Sequence, residues 1–156
     1  MKKLVFVAII LSLDFLSAQA LDNQKVIEKL FLEGWNEKNL SNIKGHIGDT
    51  VSFHLNNYHF NTNANDLEQL INMWHGAFED FKFEIINIIE SNDIVAINLR
   101  YSGKHIGDFM GIKPKNKEIN VSEMMFFRFD HGKLVEAWEL YDEKGMFSQM
   151  TSDNRP

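Results

Sequence analysis

Apolar positions in this chain recur first with helical and then with strand spacing. Val26, Ile27, Leu30, Phe31, Gly34 and Trp35 follow the helical repeat, with Asp22 or Asn23 available as a cap, and predict a first helix to about Lys38. Asn39-Leu40-Ser41 turns into a short second helix ending near Gly45, and Thr50 to Leu55 alternates as a strand. Leu67, Leu70, Ile71, Trp74 and Phe78 share one stripe, which predicts a third helix capped by Asp66. Beyond it the period falls from about 3.6 to about 2 residues. Phe81 to Ser91, Ile94 to His105, Lys117 to Phe129 and Lys133 to Tyr141 read as four long strands. They are separated by Asn92-Asp93, by a loop from Gly107 to Asn116, and by Asp130-His131-Gly132, whose tight turn makes the last two strands antiparallel neighbours. Helices first and a meander of strands afterwards is an α+β pattern, one sheet curled around helices.

The first twenty residues stand apart. Lys2 and Lys3 precede an apolar stretch from Leu4 to Leu16, and Ala18-Gln19-Ala20 has the small-residue form of a cleavage site. The expectation is a secretory signal peptide over residues 1–20 and an exported, periplasmic or secreted single domain over residues 21–156. An uncleaved anchor is the competing reading, although the apolar run is shorter than the roughly 20 residues a spanning helix needs.

The chain has no cysteine, so disulfides, thiol nucleophiles and thiolate metal sites are excluded. Thirteen Phe, seven Met and three Trp make large apolar side chains the means of packing. A formal charge of −6 becomes −7 when Lys2, Lys3 and Asp14 leave with the leader. That balance disfavours nucleic acid and anionic membranes as partners. Six histidines show no metal-ligand spacing, and no phosphate-cradling glycine loop appears. The expectation is therefore no metal and no cofactor.

In the last strand Val135, Ala137, Glu139 and Tyr141 point one way, and Leu134, Glu136, Trp138 and Leu140 the other. Both faces carry large apolar groups. One is expected to line an interior and the other to meet a second subunit.

Two stretches then narrow the reading: SGKHIGDFMGIKP at residues 102–114 and DHGKLVEAWELYDEKGMFSQM at residues 130–150. Together they resemble the signature of the SnoaL-like polyketide and ester cyclases. In that family a Gly-x-His-x-Gly-x-x-x-Gly-Ile run is followed by Asp-Gly-Lys-Ile-x-Glu-x-Trp-Asp/Glu and a Gln-bearing end. AFEDFKFEI at residues 77–85 extends the likeness. The resemblance implies the cone-shaped fold of the nuclear transport factor 2 superfamily, a curved, mostly antiparallel sheet wrapped around three N-terminal helices, and a homodimer.

It also implies roles. The family's acid/base carboxylate follows the Trp position and falls on Glu139, and its Gly-x-His histidine falls on His105. A carboxylate in a dry pocket has its pKa raised toward neutrality and can take a proton from a carbon flanked by carbonyls. His105 would steady the carbonyl oxygen. Tyr101, Met125, Phe127 and Tyr141 are the candidate substrate-binding residues, with plain core packing as their alternative. Two functions follow. One is a cofactor-independent cyclase, isomerase or dehydratase acting on a small apolar carbonyl compound; the other is a non-catalytic protein that binds a hydrophobic small molecule in the same cone.

Overall fold

A computed structural model describes residues 22–152; the leader expected over residues 1–20 lies outside them. Helix α1 (Asn23–Lys29) is capped by the Asp22 side chain, which accepts from the Gln24 N–H, and it runs on into a π-helical turn, Leu30–Trp35. The wider turn is closed by the Asn36 N–H donating to the Phe31 carbonyl at 3.0 Å. Asn36 then pins it to the sheet, exchanging hydrogen bonds of 3.0 and 2.7 Å with the backbone of Phe83. Its effect is to place Leu30, Phe31 and Trp35 together on the inner side.

The short second helix expected before Gly45 condenses to a turn and a 3₁₀ turn, Lys44–His46, with Leu40 and Ile43 buried beneath it. Strand β1 (Ile47–Leu55) starts earlier than its alternation suggested. It is joined by Asn56-Asn57 to β2 (Tyr58–Thr62), a strand the sequence pattern did not reveal. Asn63, rather than Asp66, caps α2 (Ala64–Ala77), accepting from the N–H groups of Asn65 and Asp66. A cap three residues upstream leaves Asp66 in the first turn, where an acid suits the helix dipole.

The four long strands follow as β3 (Phe78–Ser91), β4 (Ile94–His105), β5 (Glu118–Asp130) and β6 (Lys133–Tyr141). A C-terminal helix, α3 (Glu143–Thr151), is capped by Asp142 through the Gly145 N–H. Sheet order is β2-β1-β6-β5-β4-β3, antiparallel except where β1 runs parallel to β6. The β3–β4 and β5–β6 turns place Asn92, His131 and Gly132 at positive φ, as tight hairpins with right-handed twist require.

Bulges bend the sheet. β3 is bulged against β4 between Glu79 and Lys82, with Asp80 at φ 52°, and again between Ile85 and Asn87. A third lies on β6: Arg128 pairs with Glu136 and Phe129 with Leu134, leaving Val135 as the extra residue. It corrects the simple alternation expected for β6, since Leu134 joins Ala137, Glu139 and Tyr141 on the concave side. That side holds the core, closed by α1, α2 and α3. Overall the architecture is the expected α+β fold, with a curved mixed sheet.

Outside, one cross-strand row runs through His59, His54, Trp138, Phe126, Ala96 and Ile89, spanning all six strands. Met124 and Leu140 sit beside it, and Met124, Phe126, Leu140 and Ile89 are exposed. Glu136 ties the flank of this face together. It accepts from Arg128 at 3.0 and 2.8 Å and lies 2.9 Å from His54 Nε2.

Candidate functional site

Between the concave sheet and the helices lies a cavity of about 190 Å³. Aromatic rings make one wall: Phe83 meets Phe31 at 5.0 Å and Trp35 at 5.1 Å, and Trp74 meets Tyr101 at 5.4 Å. Phe60, Leu70 and Met110 line the cavity while remaining partly open to solvent, and so mark its mouth. Strands β5 and β6 add more of the lining on the sheet side through their inward side chains.

Five of the six expected site residues line this space: Glu139, Tyr101, Met125, Phe127 and Tyr141. His105 does not. It is fully buried near the end of β4, its ring 5.3 Å from that of Phe78, with both ring nitrogens lacking a hydrogen-bond partner. His105 is thus not among the residues that line the cavity, where a side chain that steadies the carbonyl oxygen would have to stand. The following loop is held instead by backbone: the His105 N–H donates to Lys117 O, and the Ile106 and Gly107 N–H groups both donate to Ala77 O.

Glu139 reaches the cavity because β6 alternates regularly after its bulge. Met125 is its cross-strand partner, and no hydrogen bond to its carboxyl occurs among the described residues. Glu139 is half-buried and lines the cavity. Burial raises the Glu139 carboxyl from 4.5 to about 7. A carboxyl in that range is poised to take and return protons at neutral pH.

Glu123 is the residue that strand reading overlooked. Inward positions of β5 are Ile119, Val121, Glu123, Met125, Phe127 and Phe129, all buried. One carboxyl on an otherwise apolar face was the available signal. Glu123 is only 5% exposed and lines the same cavity. Burial, and then the charge of Glu139, push its carboxyl well above the usual range.

Two phenols complete the polar set. Tyr101 Oη donates to Met146 Sδ at 3.3 Å, a weak acceptor, and Tyr141 Oη lies 3.5 Å from Glu143 Oε1. Burial is the main cause that holds both hydroxyls protonated, well above the ordinary tyrosine value. Thr62 and Asn63 add polar groups from the β2–α2 junction. Among the described residues no group of three His, Cys, Asp or Glu side chains is arranged to hold a metal. The wall therefore combines one carboxyl that ionises near neutrality with hydroxyl and carboxyl donors, in a mostly apolar space.

Comparison with known proteins agrees with this fold. Among curated proteins, none matches the sequence. AclR from Streptomyces galilaeus, a candidate hydroxylase, superposes with a TM-score of 0.71 at 22% identity, covering 86% of this chain and 83% of its own. IdmH from Streptomyces antibioticus, a candidate polyketide cyclase, gives 0.70 at 21%, covering 84% and 99%. A Catenulispora acidiphila protein with a ketosteroid isomerase-like fold gives 0.66 at 12%, covering 83% and 94%. Such identities establish the fold and leave the activity open, as the differing descriptions of these neighbours illustrate. The family model for SnoaL-like polyketide cyclases matches residues 25–150, and the chain belongs to that family.

Proposed function

We propose that this protein catalyses cofactor-independent proton transfer on a small apolar carbonyl compound, a reaction of the cyclase, isomerase or dehydratase type, with Glu139 as the acid/base. One observation carries the reading: a carboxyl with no partner, raised to about 7 by burial, facing an aromatic-walled cavity. Glu139 in its ionised form takes a proton from carbon next to a carbonyl. Electron density moves onto the carbonyl oxygen, which hydroxyl donors such as Tyr101 and Tyr141 stabilise. The protonated Glu139 then returns the proton to another carbon or to oxygen. An apolar cavity of roughly 150 Å³ admits benzene, so about 190 Å³ suits a compound built on one ring.

Mass spectrometry of small molecules retained by the purified protein identifies the compound class. A Glu139→Gln variant is expected to lose on the order of a hundredfold or more of the turnover of the recovered compound. Equal turnover by that variant would remove Glu139 from the role of base. The second reading, a non-catalytic carrier of a hydrophobic molecule, draws on the predominantly apolar lining and on the distance of His105 from it. It predicts binding with no chemistry and no dependence on Glu139.

We also propose that two copies associate through the outer sheet face, because Trp138, Phe126, Met124 and Leu140 form an apolar surface flanked by both signs of charge in Arg128 and Glu136. Export rests on the leader-like residues 1–20 alone. N-terminal sequencing of the protein recovered from its native compartment is expected to begin at Leu21.

A further inference from the structure

The cavity contains two carboxyls and nothing of opposite charge. Glu123 and Glu139 both line it, and among its described lining residues there is no Lys, Arg or His. Their placement follows from register. Glu139 stands opposite Met125 and Tyr141 opposite Glu123, so the two glutamates are diagonal neighbours on one face of adjacent antiparallel strands. Diagonal positions are about 7–8 Å apart at the backbone, within reach of long side chains. Leu99 is opposite Glu123 and Tyr101 opposite Val121, which sets Tyr101 diagonal to Glu123 on the other side. Glu123 thus sits at the centre of a polar strip, Tyr101–Glu123–Glu139/Tyr141, in an otherwise apolar wall.

No hydrogen bond joins either carboxyl to another of the described residues. Two buried carboxylates side by side cannot both ionise, since each is desolvated and each repels the other. One must hold its proton when the other loses it. Glu123 is only 5% exposed whereas Glu139 is half-buried, so desolvation falls harder on Glu123 and it is the one that stays protonated. The groups facing it are Glu139 and Tyr141 from β6 and Tyr101 from β4. A neutral carboxylic acid in this position brings a hydroxyl donor to the cavity wall.

We propose that Glu123 is a second functional residue of the site, a neutral acid whose O–H donates to a carbonyl oxygen of the bound compound while Glu139 removes the proton from carbon. The inference rests on the proton-transfer reading and extends it to ligand choice. In the step, the C–H bond breaks and its proton forms the O–H bond of Glu139. The C–H electron pair becomes a C=C bond, and the C=O π pair moves to oxygen, where the Glu123 O–H holds it. Glu139 then returns its proton to carbon, which restores the carbonyl, or to oxygen, which gives the enol; either way its carboxylate is regenerated and no other reactant is needed. The favoured ligand is an uncharged ketone or aldehyde with an apolar body. Carboxylates of the same size are repelled by ionised Glu139.

Three measurements test this, none needing the natural compound. In carboxyl ¹³C NMR of the free protein, Glu139 is expected to titrate near 7 while Glu123 remains protonated there. Replacing Glu139 with Gln should move the Glu123 titration down, whereas Glu123→Gln should leave that of Glu139 nearly unchanged. Binding of acetophenone, followed by tryptophan fluorescence, should weaken on the order of tenfold in Glu123→Leu. Glu123→Gln keeps an N–H donor and should retain most of the affinity. Benzoate should bind at least tenfold more weakly than acetophenone at neutral pH.

Failure of the base and failure of Glu123 are distinguishable. Deuterium uptake at the acetophenone methyl in D₂O reads Glu139, and its absence in the wild type would count against proton transfer while leaving the Glu123 titration and affinity results standing. Ionisation of Glu123 before Glu139, or undiminished acetophenone binding by a folded Glu123→Leu protein, overturns the proposal. So does tighter binding of benzyltrimethylammonium than of acetophenone, which would make the carboxyl pair a cation site.

Discussion

Replacing Glu139 with Gln should leave the protein little changed in acid and more stable than the wild type in mild alkali. Burial raises the Glu139 carboxyl from 4.5 to about 7. Between those values the folded chain keeps a proton that the unfolded chain has released. The stability contributed by that proton is fully present below about pH 4.5 and is lost as pH rises through about 7. At about 1.4 kcal/mol per pH unit, the loss is about 3 kcal/mol. Gln has nearly the same shape and no charge, so the variant is spared it. Urea unfolding is readily followed by fluorescence, since Trp35 and Trp74 line the cavity. The difference between variant and wild type is expected to grow by about 3 kcal/mol from about pH 4.5 to about pH 8. Glu123 is freed of the Glu139 charge in the variant, so the difference reports Glu139 together with its coupling to that neighbour. Parallel stability curves would refute a desolvated carboxyl at position 139, and with it the basis for its catalytic role.

Other expectations are equally concrete. His105→Leu removes two unpartnered buried ring nitrogens, so stability should hold or rise by about 1 kcal/mol in urea unfolding, and acetophenone binding should persist. A loss above about 2 kcal/mol would mean that the ring nitrogens are satisfied in solution. In Gly107→Ala the added Cβ would lie 2.4 Å from Gly76 O and 3.0 Å from Ala77 Cα, both backbone, so a cost of about 2 kcal/mol or more is expected by the same assay. Phe126→Glu places a charge in the centre of the outer apolar face. Sedimentation velocity should find it monomeric where the wild type is dimeric, and a wild type that sediments as a monomer would end the dimer proposal.

Legibility of this fold in its sequence followed the strength of local signals. Strands β3 to β6 were evident because their apolar positions alternate over nine or more residues and end in Asn-Asp and His-Gly turns. Strand β2 was hidden: its five residues are mostly exposed, so burial imposes no alternation on them. The second helix failed because Leu40 and Ile43 are buried by a turn, with too few residues to complete a helix. Glu139 and its neighbours Ala137 and Tyr141 were placed on one face correctly, but the bulge at Val135 that turns Leu134 inward depends on pairing with β5, which a single strand does not encode. Glu123 was readable in principle. Its face was composed of Ile119, Val121, Met125, Phe127 and Phe129, and a charged group there is costly unless used.

The parallel junction of β1 and β6 has a consequence for how the chain is made. Phe53 lies beside Ala137, roughly eighty residues later in sequence. At about 5–20 residues per second, the ribosome delivers that partner roughly 4–16 s after β1 has emerged. During this interval the β1–β2 hairpin presents an unsatisfied backbone edge, and the nascent protein is at its most prone to aggregation. Glu139 arrives with the closing strand, so its desolvation falls in the final stage of assembly. A chain stalled before that strand would have most of its core residues and no functional interior.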